Sequence, residues 1–250
     1  MIVNLEATNS SAIAREIVRV REEGGAVALG RVLTLVVVAG QAKNEEAIRA
    51  ANAASGEHPM RVIVLHMHPH EPESRLDAEI RVGSDAGASE VIVLQANGAS
   101  AHDPAALVQP LLLPDAPIVT WWPEDSSLRP SETRLGQMAQ LRIVDTHFAD
   151  HAPSTLVELA NGYVDGDTNL AWTRITRWRA QLAAVLDQPP YLEVARAEVD
   201  CSTPSTSTLL MAGWLAEFLQ IPVRMRVVSE AGQGNLRAVR LYRQNGIIEL

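Results

Sequence analysis

The sequence predicts an α/β protein: a helix-covered, mostly parallel sheet followed by a smaller α/β or α+β domain. Three observations predict it. Four short runs rich in Val and Ile, Val32–Val38, Val62–Leu65, Val91–Leu94 and Ile118–Trp121, recur without polar alternation, as strands buried on both faces do. Segments with helical spacing lie between and before them. After Gly166-Asp167 a second series of helices and strands begins. The 250 residues therefore divide into an N-terminal α/β domain, 1–165, and a smaller C-terminal domain, 166–250.

The elements follow in chain order. Ser11 is a candidate cap for a first helix, with Ile13 and Ile17 one turn apart. Asn44 is a candidate cap for a second, with Ala47, Ile48, Ala51 and Ala54 on one face. Leu76, Ala78, Ile80 and Val82 alternate with Arg75, Asp77, Glu79 and Arg81, which predicts an extra strand with one wet face. Asp103-Pro104 joins a capping carboxylate to a proline at the first helical position, and Leu107, Val108, Leu111 and Leu112 follow at helical spacing. Pro123–Pro130 reads as a loop, 131–150 is ambiguous, and a helix is expected from about Ser154 to Tyr163. The second domain opens with a helix over about Asn169–Asp187, closed by Pro189-Pro190. Ser205 caps another, with Leu210, Trp214 and Phe218 inward. Leu192–Val199, Val223–Val228, Leu236–Arg243 and Ile247–Leu250 read as strands, and Asn245-Gly246 predicts a type I′ hairpin turn.

Composition narrows the function classes. Formal net charge is −9, with 12 basic and 22 acidic side chains in 1–165 against 9 and 8 in 166–250. Nucleic-acid binding needs a basic footprint, so none is expected. The longest clean apolar run, Leu35–Ala39, is far short of a membrane span, and Met1–Ser11 lacks the pattern of a signal peptide. The single cysteine, Cys201, fits a reducing cytoplasm and rules out both an internal disulfide and a zinc-thiolate cluster within one chain. Arginine is plentiful and Lys43 is the only lysine, a usage expected of a GC-rich bacterial genome.

Motifs for chemistry are scarce. Gly25-x-x-x-x-Gly30-Arg31 has the glycine spacing of a phosphate-binding loop but lacks its lysine and Ser/Thr, and it precedes a strand instead of following one. It reads as a tight turn. No G-x-G-x-x-G and no G-x-S-x-G is present, so no dinucleotide cofactor and no catalytic set are expected. His66, His68 and His70 follow the second strand and offer a metal-hydrolase alternative, against which they read as an exposed histidine loop. Arg174 and Arg179 offer a second alternative, a clamp for a sugar phosphate. The same arginines, with Trp172 and Trp178, also suit the joining of the two domains. Trp121 and Trp122 end the fourth strand, one expected in the core and the other at or near the surface, where aromatic anchors serve recognition. Asp167 and Thr168 are natural caps for the helix that follows.

Four blocks, in order, resemble the glucose-6-phosphate dehydrogenase assembly protein (OpcA) family. They are residues 22–35 (ending Gly30-Arg31-Val32-Leu33-Thr34-Leu35), Ala51–Leu65 and Leu112–Pro123 (Leu-Leu-Pro-Asp-Ala-Pro-Ile-Val-Thr-Trp-Trp-Pro). The fourth is Gly166–Arg174 (Gly-Asp-Thr-Asn-Leu-Ala-Trp-Thr-Arg) with Trp178-Arg179 and Leu186–Pro190. The resemblance implies an N-terminal α/β domain and a smaller C-terminal one. It implies a non-catalytic subunit or allosteric effector of glucose-6-phosphate dehydrogenase in the oxidative pentose phosphate pathway, with no catalytic residues of its own; no cofactor or metal is expected. On that reading the partner-binding candidates are Trp121, Trp122, Asp167, Thr168, Trp172, Arg174, Trp178 and Arg179, and self-association stays open. Arg177 stands where the family pattern has proline and Asn169 where it has Asp. The chain ends at Leu250 where relatives run on, which leaves the completeness of the last sheet open.

Overall fold

The computed structural model describes residues 1–23, 30–39, 44–82, 90–123, 129–147, 149, 151–228 and 236–250. Two compact units form, one of Met1–Val144 with Val164–Asp167 and the other of Asp145–Tyr163 with Thr168–Leu250.

The first unit contains β1 (Ile2–Leu5), α1 (Ser10–Glu23), β2 (Leu33–Val38), α2 (Asn44–Ser55), β3 (Met60–His68), β4 (Arg75–Arg81), β5 (Glu90–Asn97), α3 (Pro104–Val108), β6 (Ile118–Trp122), α4 (Arg134–Met138) and β7 (Leu141–Val144). With β8 (Asp167–Asn169) they make an eight-stranded sheet of order β1-β4-β5-β3-β2-β6-β7-β8. The five central strands are parallel, and β4 and β1 add antiparallel at one edge. The α/β class expected from the apolar runs is what forms.

The parallel strands follow the doubly wound pattern, in which the first lies centrally and later ones add on either side. Helix α1 and the 104–111 segment cover one face, setting Ile13, Ile17, Val20, Val108 and Leu111 against Val36, Ile63, Leu65, Ile92 and Leu94. Helix α2 covers part of the other, with Ala47, Ile48 and Ala51 against Leu35, Val37, Val62, Val64 and Val91. Fully burying each of these larger side chains contributes about 1.5–3 kcal/mol. The order reverses between β2 and β6, the place where open α/β sheets put ligands. The residues that leave those strands, 40–43 and 124–128, lie outside the described residues.

Several local expectations change. Asn9, not Ser11, caps α1: its Oδ1 accepts from the Ala12 amide at 2.9 Å. Asp103 caps α3 as expected, accepting from Ala106 N at 3.1 Å. The ambiguous stretch 131–150 holds α4 and the parallel strand β7, and the N-terminal residues supply β1. Most of the glycine-spaced turn before Arg31 lies outside the described residues.

The second unit holds α5 (Ala152–Asn161), α6 (Leu170–Arg174), α7 (Thr176–Leu186), β9 (Arg196–Cys201), α8 (Thr206–Leu219), β10 (Val223–Val227), β11 (Leu236–Arg243) and β12 (Gly246–Glu249). The predicted single helix over 169–187 is two, parted at Ile175, whose ψ of 2° breaks the helical path. The sheet order is β10-β9-β11-β12. Ile175, Leu182, Met211 and Leu215 pack on Ala197, Val199, Val239 and Leu241.

On the opposite face of this sheet Glu198 and Asp200, both buried, sit among Arg196, Arg226, Arg240 and Tyr242. Tyr242 Oη donates to Glu198 at 2.8 Å and Arg226 Nε lies 3.2 Å from Asp200. Ser205 caps α8 in a reciprocal box with Thr208. The β11–β12 hairpin is not type I′. Its turn residues are Gln244 and Asn245, neither with positive φ, and the left-handed demand falls on Gly246 at φ +139°.

Candidate functional site

The Gly166–Arg174 block, which looked most like a recognition motif, first serves the fold. In the first unit Arg142, almost buried on β7, donates from Nε to Asp167 Oδ1 at 2.5 Å. The same guanidinium reaches Ala139 O at 2.9 Å and Asp165 O at 2.5 Å. Asp167 also accepts from Val164 N at 3.0 Å, and Gly166 O accepts from Arg142 N at 2.8 Å. Gly166 stands at φ +94°, and a Cβ there would lie 2.3 Å from Gln140 O and 2.9 Å from Arg142 Nη2. Only glycine fits. Asp167 is therefore occupied within its own unit and is not the helix cap its position suggested.

In the second unit the cap is Asn169, whose Oδ1 accepts from Ala171 N at 3.0 Å and whose Nδ2 donates to Thr146 Oγ1 at 2.9 Å. Thr146 meets Thr206 through paired hydroxyls at 2.9 Å, and Ser207 donates to Ala171 O at 3.1 Å. Arg174 grips Asp145 with both terminal nitrogens, each at 2.6 Å. Burial alone would raise the Asp145 carboxyl, but Arg174 and the His147 amide hold it below the ordinary aspartate range. The same pairing raises Arg174. Asp145 belongs to the acid-rich part of the sequence, yet the structure groups it with the second unit, so this pair is internal to that unit.

The motif residues left accessible form a small patch. Trp172 is 37% exposed, and the Arg179 guanidinium lies over its ring, 3.6 Å from the centroid. Arg179 is steadied by Thr176 Oγ1 at 3.1 Å. Thr168, Thr173, Arg174 and Arg177 are exposed beside them in sequence. A cation fixed over an indole is already ordered, which lowers the entropy cost of a contact made there. Trp178 is half-buried against the core of the second unit. In the first unit Trp122 is buried on one face of the sheet. Trp121 packs half-buried on the other, its indole nitrogen without a partner among the described residues. Trp122 is the ring expected in the core, and Trp121 is the partly open one.

The two chemical alternatives find little support in these positions. Arg174 is held by Asp145, and Arg179 lies over Trp172 and bonds Thr176, so the two guanidinium groups are engaged separately and are not shown converging on one point. His66 is buried at the end of β3, and burial followed by the neighbouring His68 lowers its pKa. His68 is half-buried and His70 exposed. Among the described residues no group of three or more His, Cys, Asp or Glu is placed to hold a metal ion, and no helix is long and apolar enough to cross a membrane. Sequence reasoning missed Arg142, Asp145, Thr146, Thr206 and Ser207. Lone polar residues amid ordinary neighbours carry no periodic or spacing signal, so nothing in the chain marked them.

Residues 51–161 match the family model described as the glucose-6-phosphate dehydrogenase subunit N-terminal domain, and residues 165–250 match the one described as its C-terminal domain. No curated protein matches the chain.

Proposed function

We propose that this chain, which belongs to the glucose-6-phosphate dehydrogenase assembly (OpcA) family, is a non-catalytic subunit that binds glucose-6-phosphate dehydrogenase and favours its active assembly. The observation that carries this reading is the ordered pair of matches to the two domains of a dehydrogenase subunit, covering 51–161 and 165–250. The reading places the work in the oxidative pentose phosphate pathway of a bacterial cytoplasm, for which the lone buried Cys201 is suited.

The mechanism is population shift. A subunit that prefers one conformation or oligomer of the dehydrogenase draws the enzyme toward it. A preference of about 1–3 kcal/mol changes apparent substrate affinity roughly 5- to 150-fold. The contact we favour is the patch of Trp172, Arg174 and Arg179, supported by its exposed aromatic–guanidinium pair, since Trp and Arg dominate interface hot spots. The test is size-exclusion chromatography of the purified pair, with initial rates of NADP reduction in the presence and absence of this chain. Co-elution, with W172A and R179A each weakening it, supports the proposal. Co-elution unaffected by either substitution moves the contact elsewhere and refutes the patch.

A further inference from the structure

Where the parallel strands of the first unit begin, three arginines surround one acid. Glu90, the first residue of β5, is fully buried. Arg61 pairs with it in register from β3, and donates from Nε to its Oε2 at 2.8 Å. Arg21, in the last turn of α1, makes a two-toothed bond from Nε and Nη2 at 2.9 and 2.8 Å. Arg61 is further held by Leu111 O at 2.6 Å. Both carboxylate oxygens are thereby used.

Arg31 is the guanidinium left over. Its side chain is only 16% exposed and its Nε, buried without a hydrogen-bond partner among the described residues, lies 3.6 Å from Glu90, too far for a hydrogen bond. It donates no hydrogen bond to any described residue. Among the described residues three fixed positive charges thus share one negative one. Buried guanidinium groups are ordinarily paired and hydrogen-bonded, because an unpaired one forfeits its hydration. Arginine does not relieve the imbalance by losing its proton within the accessible pH range. A group with two negative charges and several acceptor oxygens would balance the cluster and engage Arg31's fork. A carboxylate would leave one charge uncompensated. Arg21, about a third exposed, and the partly open Arg31 give such a group a way in.

We propose that Arg31 and Arg21, backed by Arg61 and Glu90, form a binding site for the phosphate group of a small phosphorylated metabolite. The site lies within the first unit and is independent of any partner contact.

The test is thermal denaturation of the full chain at mildly alkaline pH, where inorganic phosphate is mostly the dianion. Phosphate is titrated against acetate and chloride at matched ionic strength. A ligand of the native state raises the midpoint with the logarithm of its concentration. The expected result is a rise with phosphate that acetate does not reproduce and that R31Q abolishes. R31K, which keeps the charge and loses the fork, reduces it. A phosphorylated sugar and a nucleoside monophosphate, run as parallel arms, identify which metabolite class carries the group. If phosphate and acetate act alike, or if R31Q responds as the parent does, the proposal is overturned. Should R31Q fail to fold, phosphate-induced shifts in the Arg Nε resonances of the parent chain decide the question, their absence counting against the site.

Discussion

Replacing Glu90 by Gln removes one charge and almost no volume, so it isolates what that carboxylate does. In the parent protein it receives Nε and Nη2 of Arg21 and Nε of Arg61, all within 2.9 Å, with Arg31 at 3.6 Å. The amide keeps one acceptor oxygen but brings an N–H group against guanidinium donors, and three like charges lose their common counterion. Removing one partner of a buried ion pair costs about 3–5 kcal/mol. The retained acceptor puts E90Q near the lower end, about 3 kcal/mol. At roughly 2–4 °C per kcal/mol that is a fall in midpoint of about 6–12 °C.

The pH dependence has a definite sign. Burial alone would raise the Glu90 carboxyl, but Arg21, Arg61 and Arg31 together hold it below the ordinary glutamate value. A depressed folded-state pKa contributes stability that is full above the unfolded value, about 4.3, and is lost as pH falls through the folded one. The gap between parent and E90Q is therefore constant near neutrality and narrows only in acid. Urea denaturation of both proteins from neutral pH downward measures it. A loss under about 1 kcal/mol, or two curves that stay parallel into acid, would refute the reasoning.

Other substitutions separate structure from recognition. G166A forces a left-handed residue and a Cβ 2.3 Å from Gln140 O; a loss of about 1–3 kcal/mol or more in urea is expected. N169A removes the α6 cap and the Thr146 bond, and lowers stability by about 1–2 kcal/mol in the same assay. L182A opens a cavity in the core of the second unit and costs about 2–5 kcal/mol. W172A and R179A, on a partly exposed pair, change stability by under about 1 kcal/mol while weakening dehydrogenase binding in a pull-down titrated by concentration.

The fold was largely legible because burial on both faces leaves an uninterrupted mark. Val62–Leu65 and Val91–Leu94 need no polar positions, and they form the middle of the sheet. The alternation from Arg75 to Val82 likewise declared an extra strand with one wet face. Short elements were harder. Leu141–Val144 is four residues long with Arg142 in its midst, and that arginine is buried only because Asp167 and three carbonyls receive it. No local pattern announces such a partnership. The site was legible in its sequence blocks but not in its division of labour. Gly166, Asp167 and Asn169 look like recognition residues because they are polar and clustered. The structure spends them on a left-handed turn, an ion pair and a helix cap. Arg31 was the opposite case, set aside with its glycine-spaced turn, and it emerges as the guanidinium that makes no hydrogen bond to a described residue.

The most direct measurement is to titrate this chain into purified glucose-6-phosphate dehydrogenase and follow both the size of the complex and the rate of NADP reduction. A saturable complex whose formation tracks a change in enzyme kinetics is the expected result. Separate elution with unaltered kinetics across the titration would contradict it.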